Sequence, residues 1–188
     1  LTFRKAGDSW TLAELPEVRA LIETLDQRGI LQSIASKNDR EPALAQLRAL
    51  GLEHYFLYPQ ISWNPKSEAI GRIAQLINIG IDSLAFVDDQ AYERDEVAFS
   101  HGPVLCLDAA RLDEMAAMPE FMPRFITDES ARRRLMYQQD AERQRIEETY
   151  AGPKEDFLAS LEMVFTVAHA DEKDLQRLEE LTARTNQL

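Results

Sequence analysis

The sequence has little cysteine and no long apolar run. It contains 1 cysteine among 188 residues, which excludes an internal disulfide and is typical of proteins from a reducing compartment. No apolar stretch approaches the roughly 18 residues of a transmembrane helix, and no secretory signal pattern is present. We therefore expect a cytoplasmic protein that does not have a membrane as its partner.

Basic residues are also in short supply. There are 21 lysines and arginines against 33 aspartates and glutamates, and the formal net charge is -12 at pH 7. Because polyanions repel such a chain, this balance argues against nucleic acid and anionic lipid as partners. The sequence is 45% hydrophobic and 29% charged, which is typical of a globular protein with an apolar core.

The first half of the chain alternates helical and strand patterns. Helices are expected from Pro16 to about Gln27, around residues 44–50 and at residues 66–78, with apolar side chains at helical spacing. Short strands are expected at residues 30–35, 55–61, 84–87 and 104–107. This order predicts an α/β fold, in which a parallel sheet carries helices on both faces.

The second half of the chain has a different pattern. Residues 118–125 contain two prolines and are expected to connect two parts of the molecule. A long charged helix is expected from Asp128 to Tyr150, followed by a strand at residues 164–168 and an amphipathic helix at residues 171–184. One strand and one helix do not close a core, so we expect this last unit to dock elsewhere or to belong to a larger domain.

Polar residues follow the predicted strands at the edge where ligands bind in open α/β sheets. Ser36 and Asn38 follow the first strand, Lys66 begins a later helix, and the adjacent carboxylates Asp88 and Asp89 end the strand "LAFV". A hydroxyl and a lysine suit a phosphoryl group. Paired carboxylates suit Mg²⁺, which prefers oxygen ligands. The pattern therefore predicts a phosphate site beside a magnesium site.

Each of these residues also has a purely structural interpretation. Adjacent aspartates after a strand often form a helix N-cap, and an isolated serine or lysine is most often a turn or surface residue. Glu93 and Arg94 follow the acid pair on a helix and are expected to pair with neighbouring side chains. Cys106 is expected to be a small core residue, because the sequence places no histidine or basic group beside it to activate a thiolate.

The order of hydroxyl, lysine and acids resembles the haloacid dehalogenase (HAD) superfamily of phosphotransferases. Ser36 in "LQSIASKND", Lys66 in "NPKSEAI" and Asp88-Asp89 in "LAFVDDQ" match three of that superfamily's motifs. The stretches "YPQISWNPKS", "YERDEV", "RRRLMYQ" and "GPKEDFLASLEM" are similar to its FkbH-like branch. This resemblance covers nearly the whole chain.

The resemblance implies a function and a division of the chain. It implies a HAD-like (Rossmann-like) domain at residues 1–126, a helical linker at 127–162 and the beginning of an acyltransferase-like domain at 163–188. The implied activity is Mg²⁺-dependent. A glyceryl unit from 1,3-bisphosphoglycerate, a phosphorylated three-carbon substrate, is dephosphorylated and loaded on an acyl carrier protein for polyketide biosynthesis. Phosphate binding is implied for Ser36, Lys66 and Asn38, and metal binding for Asp88 and Asp89.

The chain departs from the superfamily at its first motif. HAD enzymes carry an Asp-x-Asp sequence after the first strand, and its leading aspartate is the nucleophile. That sequence is absent, and Asp8 in "KAGDSW" has no predicted strand before it. We expect that the first strand and the nucleophile lie outside these residues, so that the chain alone is inactive. The alternatives are a degenerate, non-catalytic HAD binding module and a HAD phosphatase of small phosphate esters.

Overall fold

In a computed structural model, the structure describes residues 2–6, 9–13, 16–150, 159 and 162–184, the first two ranges by their backbone. The strands are β1 (Thr2–Ala6), β2 (Ser9–Ala13), β3 (Ala35–Ser36), β4 (Gln60–Ile61), β5 (Ala85–Asp88) and β6 (Leu105–Asp108). The helices are α1 (Pro16–Gln27), α2 (Arg40–Ala49), α3 (Lys66–Ile77), α4 (Ala91–Ser100), α5 (Leu112–Met115), α6 (Asp128–Ala131), α7 (Arg133–Thr149) and α8 (Leu175–Arg184). The chain is therefore a mixed α/β protein.

The strands form three separate two-stranded sheets in the described part of the chain. β3 pairs with β4 and β5 pairs with β6, both in parallel, with Ser36 opposite Ile61 and Asp88 opposite Asp108. β1 and β2 form an antiparallel hairpin. The prediction of parallel pairing in the first half is confirmed, but the predicted single sheet is not seen among these strands.

The two strands of the first parallel pair are shorter than the sequence pattern predicts. The predicted strand at residues 30–35 is reduced to β3 and an isolated bridge between Gln32 and Phe56. The predicted strand at residues 55–61 becomes a 3₁₀ turn at Glu53–Tyr55 followed by β4. The positive φ of 49° at Tyr58 lies outside the extended region, so the backbone bends between the bridge and β4.

The hairpin at the start of the chain was not predicted. The expectation that no strand precedes Asp8 is wrong, because β1 ends at Ala6, although Asp8 itself lies outside the described residues. β1 pairs with β2 and with neither parallel pair, so it does not fill the position of a strand between β3 and β5. The sequence pattern concealed the hairpin because five-residue strands without a long apolar run give a weak signal.

The helices that flank the parallel pairs agree with the predicted apolar spacing. α1 buries Val18, Leu21, Ile22 and Leu25. α3 buries the apolar residues Ile70, Ile73, Ala74 and Ile77 and is capped by Asn78, which has a left-handed φ of 58°. Left-handed residues commonly close helices because they let the final carbonyls find backbone partners. Apolar periodicity alone therefore predicts these two helices correctly.

The buried apolar residues fall into three clusters, each between strands and helices. One cluster lies around α2 and β4 (Ala43, Leu44, Leu47, Leu52, Ile61), together with one face of α1. A second joins the other face of α1 to β6 and α5 (Leu21, Leu25, Leu107, Met115, Phe121). A third joins α3, β5 and α4 (Ile70, Phe86, Val97, Val104), and Ala35 of β3 packs against it. Thus the third cluster brings the two parallel pairs side by side.

The predicted helical linker packs against the α/β part of the chain. Arg134 of α7 makes two hydrogen bonds with the carboxylate of Asp26, at 2.8 and 3.1 Å. Gly29 has a φ of 72°, and a Cβ atom there would lie 2.3 Å from the carbonyl oxygen of Ser130. Only glycine therefore allows α6 to approach the end of α1 so closely.

The end of the chain differs from its predicted strand. The expected helix at residues 171–184 is confirmed by a 3₁₀ turn at Glu172–Asp174 that leads into α8. The strand expected at residues 164–168 is wrong, because this segment is exposed and irregular. Its apolar composition favours a strand only where a partner strand supplies hydrogen bonds, and no described strand does so. No helix within the described residues is long and apolar enough to cross a membrane.

Candidate functional site

Two lysine–carboxylate pairs join the two parallel strand pairs at their carboxyl ends. Lys66, the first residue of α3, contacts Asp88, the last residue of β5. Lys37, directly after β3, lies 2.8 Å from Glu93 in the first turn of α4. Both lysines come from the β3–β4 half and both carboxylates come from the β5–β6 half. The predicted convergence of residues from different strand ends is therefore present.

The Lys66–Asp88 pair is nearly withdrawn from water. The Lys66 side chain is 11% exposed and the Asp88 side chain is 9% exposed. Asp88 Oδ2 accepts from Lys66, and Asp88 Oδ1 accepts from the backbone N–H of Gln90 at 2.9 Å. The Asp88 carbonyl accepts from Arg94 at 2.7 Å. Because every oxygen of Asp88 has a donor, its carboxylate is held in one orientation at the strand end.

The Lys37–Glu93 pair combines an accessible amine with a buried acid. The Lys37 side chain is 30% exposed, whereas that of Glu93 is 7% exposed. The hydrogen bond to Glu93 raises the pKa of Lys37. Glu93 Oε1 accepts that bond, but Glu93 Oε2 is buried and has no hydrogen-bond partner in the described part of the chain. A buried unsatisfied oxygen costs about 1–3 kcal/mol, so its position calls for an explanation.

Ser36 and Asn38 lie in different environments. The Ser36 carbonyl accepts from the N–H of Ser62 at 3.0 Å, as the β3–β4 pairing requires. Its hydroxyl has no hydrogen-bond partner among the described residues and can serve a ligand. Asn38 Oδ1 instead accepts from the backbone N–H of Asp39 at 2.8 Å. The amide of Asn38 thus supports the loop, and only its N–H₂ group is left to contact a phosphate.

Asp89 does not share the burial of Asp88. It is exposed and makes no hydrogen bond or ion pair within the described residues. The repulsion expected between adjacent acids is therefore reduced, because one is compensated by Lys66 and the other is exposed to solvent. Asp89 offers a free carboxylate at the same strand end.

Acids outnumber bases around this edge. The bases are Lys37, Arg40, Lys66 and Arg94, and the acids are Asp39, Asp88, Asp89, Glu93 and Asp108. An anionic ligand is repelled by such an excess unless a cation accompanies it. Mg²⁺ usually takes one or two protein carboxylates, a phosphate and several waters, and Asp88 with Asp89 could supply that donor set. No cluster of three or more metal-ligating side chains occurs among the described residues.

Contacts between α3 and α4 support the edge from behind. Ser67, next to Lys66, is buried, and Glu96 of α4 accepts hydrogen bonds from its hydroxyl and, at 3.1 Å, from its backbone N–H. His101 Nε2 lies 2.9 Å from the Ser67 carbonyl oxygen. The carboxylate of Glu96 satisfies an N–H in the first turn of α3, which fixes where that helix begins. This arrangement anchors Lys66.

Some of these contacts could be foreseen and others could not. Glu93 and Arg94 do form ion pairs, but not with neighbours on their own helix, since Arg94 lies 2.7 Å from Asp108 of β6. The partner of Glu93 was missed, because Lys37 is 56 residues away in sequence. Ser67 and Glu96 were missed as well. The sequence signals for this contact are weak: Ser67 lies in the first turn of α3, and Glu96 lies within α4.

Cys106 lies in β6, half-buried, at the edge of the third apolar cluster. Burial raises the pKa of its thiol, although the charge of Arg94 acts in the opposite direction. A thiol with a raised pKa carries little thiolate at neutral pH, which disfavours a nucleophilic role. This agrees with its interpretation as a small core residue.

Comparison with protein-family models, with curated proteins and with solved structures found no match to this chain.

Proposed function

We propose that this chain forms a HAD-type phosphoryl-transfer domain of the FkbH-like branch. The observation that carries the proposal is the buried contact between Lys66 and Asp88, beside a strand that ends at Ser36 with a free hydroxyl. Lys66 and Asp88, 22 residues apart in sequence, meet at the carboxyl end of β5, in the position where α/β proteins bind ligands. A hydroxyl and an amine can hold a phosphoryl group, and a carboxylate can hold Mg²⁺ beside it.

The proposal gives each residue one role. The Ser36 hydroxyl donates to a phosphate oxygen, and Lys66 lies between that oxygen and Asp88 as a compact positive charge. Asn38 contributes its N–H₂ group. Asp88 and Asp89 would hold Mg²⁺, directly or through water, and the bound cation would neutralise charge on the phosphoryl oxygens. The alignment of Asp88 by Gln90 and Arg94 reduces the reorganisation needed when the site is loaded.

The nucleophile is proposed to come from a segment that is not among the described residues. β3 and β5 lie in separate sheets whose side chains meet in the third apolar cluster. An additional strand between them would join the two pairs into one parallel sheet. Its carboxyl end would then lie between Ser36 and Asp88, where an attacking aspartate is needed.

The substrate and partner are part of the same proposal. A glyceryl unit derived from 1,3-bisphosphoglycerate would be dephosphorylated and loaded on an acyl carrier protein. Short loops follow β3 and β5, and no lid domain lies between Ser36 and Lys66. An open edge favours a protein partner that must bring a tethered thiol to the site.

The test uses the longest polypeptide that the reading frame encodes. It is incubated with Mg²⁺, 1,3-bisphosphoglycerate and an acyl carrier protein, and the carrier is analysed by intact-mass spectrometry. We expect a glyceryl mass increment on the carrier together with phosphate release, both lost in Asp88→Ala. An unmodified carrier together with carrier-independent phosphate release would indicate a phosphatase of small phosphate esters.

A degenerate HAD binding module is the second candidate, because an Asp-x-Asp sequence is absent from these residues. It predicts binding of phosphate esters without any phosphate release, even from the longest polypeptide. An unmodified carrier and no phosphate release, with ester binding that Lys66→Met abolishes, would favour this candidate. Failure to bind phosphate esters at all would contradict both.

A further inference from the structure

Lys37 and Glu93 form a second charged pair at the edge that holds Lys66 and Asp88. Lys37 follows Ser36 directly, so its backbone lies at the carboxyl end of β3. Its amine uses one N–H on Glu93 and lies 5.9 Å from the centre of the Tyr92 ring. An ammonium group has three N–H donors. Donors therefore remain on an amine whose side chain is 30% exposed.

Glu93 is a buried carboxylate with only one of its two oxygens paired among the described residues. Its side chain is 7% exposed, and its Oε2 atom is buried without a partner in the described part of the chain. Buried polar atoms in native structures are nearly always satisfied, and exceptions are concentrated where function dictates the position.

We propose that Lys37 is a second anion-binding cation of the site and that Glu93 is the residue that positions it. This inference rests on the proposed phosphoryl-transfer function and adds a specificity-determining residue to it. Lys37 follows β3 and Lys66 follows β4 at the same edge of this parallel pair, and each is held by a carboxylate from the β5–β6 half. Two fixed amines recognise a phosphoryl group better than a neutral ester, because each adds a charge-assisted hydrogen bond.

The positioning role makes a prediction that opposes simple electrostatics. Removing a carboxylate next to an anion site lowers the repulsion of an anion and should strengthen binding. If Glu93 positions the amine, Glu93→Gln should weaken phosphate binding instead, because the freed lysine moves into solvent. Weaker phosphate binding in Glu93→Gln would therefore indicate a positioning role, and tighter binding would indicate simple repulsion.

The experiment measures the dissociation constant of inorganic phosphate for the full chain by isothermal titration calorimetry in the presence of Mg²⁺. We expect Lys37→Met to weaken binding about tenfold, and Glu93→Gln to weaken it severalfold. The double variant should be no weaker than Lys37→Met alone, because the two residues act as one unit. The control is Arg48→Met. Arg48 lies in the last turn of α2, paired with Glu53, and its loss should leave the constant unchanged.

The outcomes separate this inference from the proposed function. Unchanged binding in Lys37→Met, or tighter binding in Glu93→Gln, overturns the inference alone if Lys66→Met still abolishes binding. Absence of phosphate binding by the wild-type chain overturns both.

Should either variant fail to fold, nitrogen-15 NMR of the wild-type lysine amines gives the answer. Phosphate should then shift the Nζ resonances of both Lys37 and Lys66, and a shift of Lys66 alone would contradict the inference.

Discussion

Replacement of Lys66 by methionine tests the central contact of the candidate site. Methionine preserves most of the apolar stem of lysine but removes the charge, so Asp88 would keep a buried carboxylate without its cation. The Asp88 side chain is 9% exposed, and only the Gln90 N–H would remain as a donor to it. Removing one partner of a buried ion pair typically costs about 3–5 kcal/mol. We expect the lower end of that range, because Gln90 compensates part of the charge.

The assay is urea denaturation at pH 7, with the free energy of unfolding obtained by linear extrapolation. The matched control is Arg111→Met. Arg111 and Glu114 are 2.9 Å apart, but their side chains are 48% and 56% exposed. Breaking such a surface pair should cost less than about 1 kcal/mol. The reasoning is refuted if Lys66→Met and Arg111→Met lower the free energy of unfolding by the same amount.

A double variant separates the buried charge from lost packing. In Lys66→Met/Asp88→Asn neither side chain is charged, so no uncompensated charge is left in the interior. We expect this variant to be more stable than Lys66→Met alone, because most of the cost of the single change is the isolated carboxylate. If the double variant is no more stable than the single variant, the cost comes from packing around Lys66 instead.

Three further outcomes can be checked with the same chain. Gly29→Ala should lower the free energy of unfolding by about 1–3 kcal/mol more than Gly51→Ala. Both glycines have positive φ, but only at Gly29 does the added Cβ meet the backbone of α6. Equal losses would contradict the close packing of α6 against the end of α1. The bond to Glu93 raises the pKa of Lys37, so the stability difference between wild type and Lys37→Met should persist up to the ordinary lysine pKa of about 10.4. The difference should then shrink as the pH rises through the raised pKa. A difference that grows in that pH range would contradict this reasoning. Cys106 should be alkylated by iodoacetamide at pH 7.5 severalfold more slowly than free cysteine, because burial raises the pKa of its thiol; an equal rate would contradict this.

Local sequence patterns predicted the helices well. In α1 and α3 the apolar residues recur at helical spacing, and the structure buries the same positions. The convergence of Lys66 with Asp88 was also predictable, because parallel strands bring their carboxyl ends to one edge. These features depend on periodicity and topology, which a single sequence carries.

Features that depend on tertiary partners could not be predicted in the same way. Residues 164–168 have strand-like composition but lie exposed, since no described strand pairs with them. β3 and β5 belong to separate pairs because pairing is decided by neighbouring strands rather than by the strand's own residues. The Lys37–Glu93 pair joins residues that no local pattern connects. The hairpin of β1 and β2 was missed for want of a strong apolar signal.

The most direct test of the proposed phosphoryl-transfer site is a calorimetric titration of the chain with Mg²⁺, with and without inorganic phosphate. Asp88 and Asp89 provide only two carboxylates, so phosphate should complete the set of charged ligands. We expect Mg²⁺ to bind more tightly when phosphate is present, and we expect Asp88→Asn to lose both the Mg²⁺ binding and this enhancement. By linkage, phosphate should bind more tightly when Mg²⁺ is present, by the same factor. Mg²⁺ binding that is unaffected by phosphate and by Asp88→Asn would contradict the account.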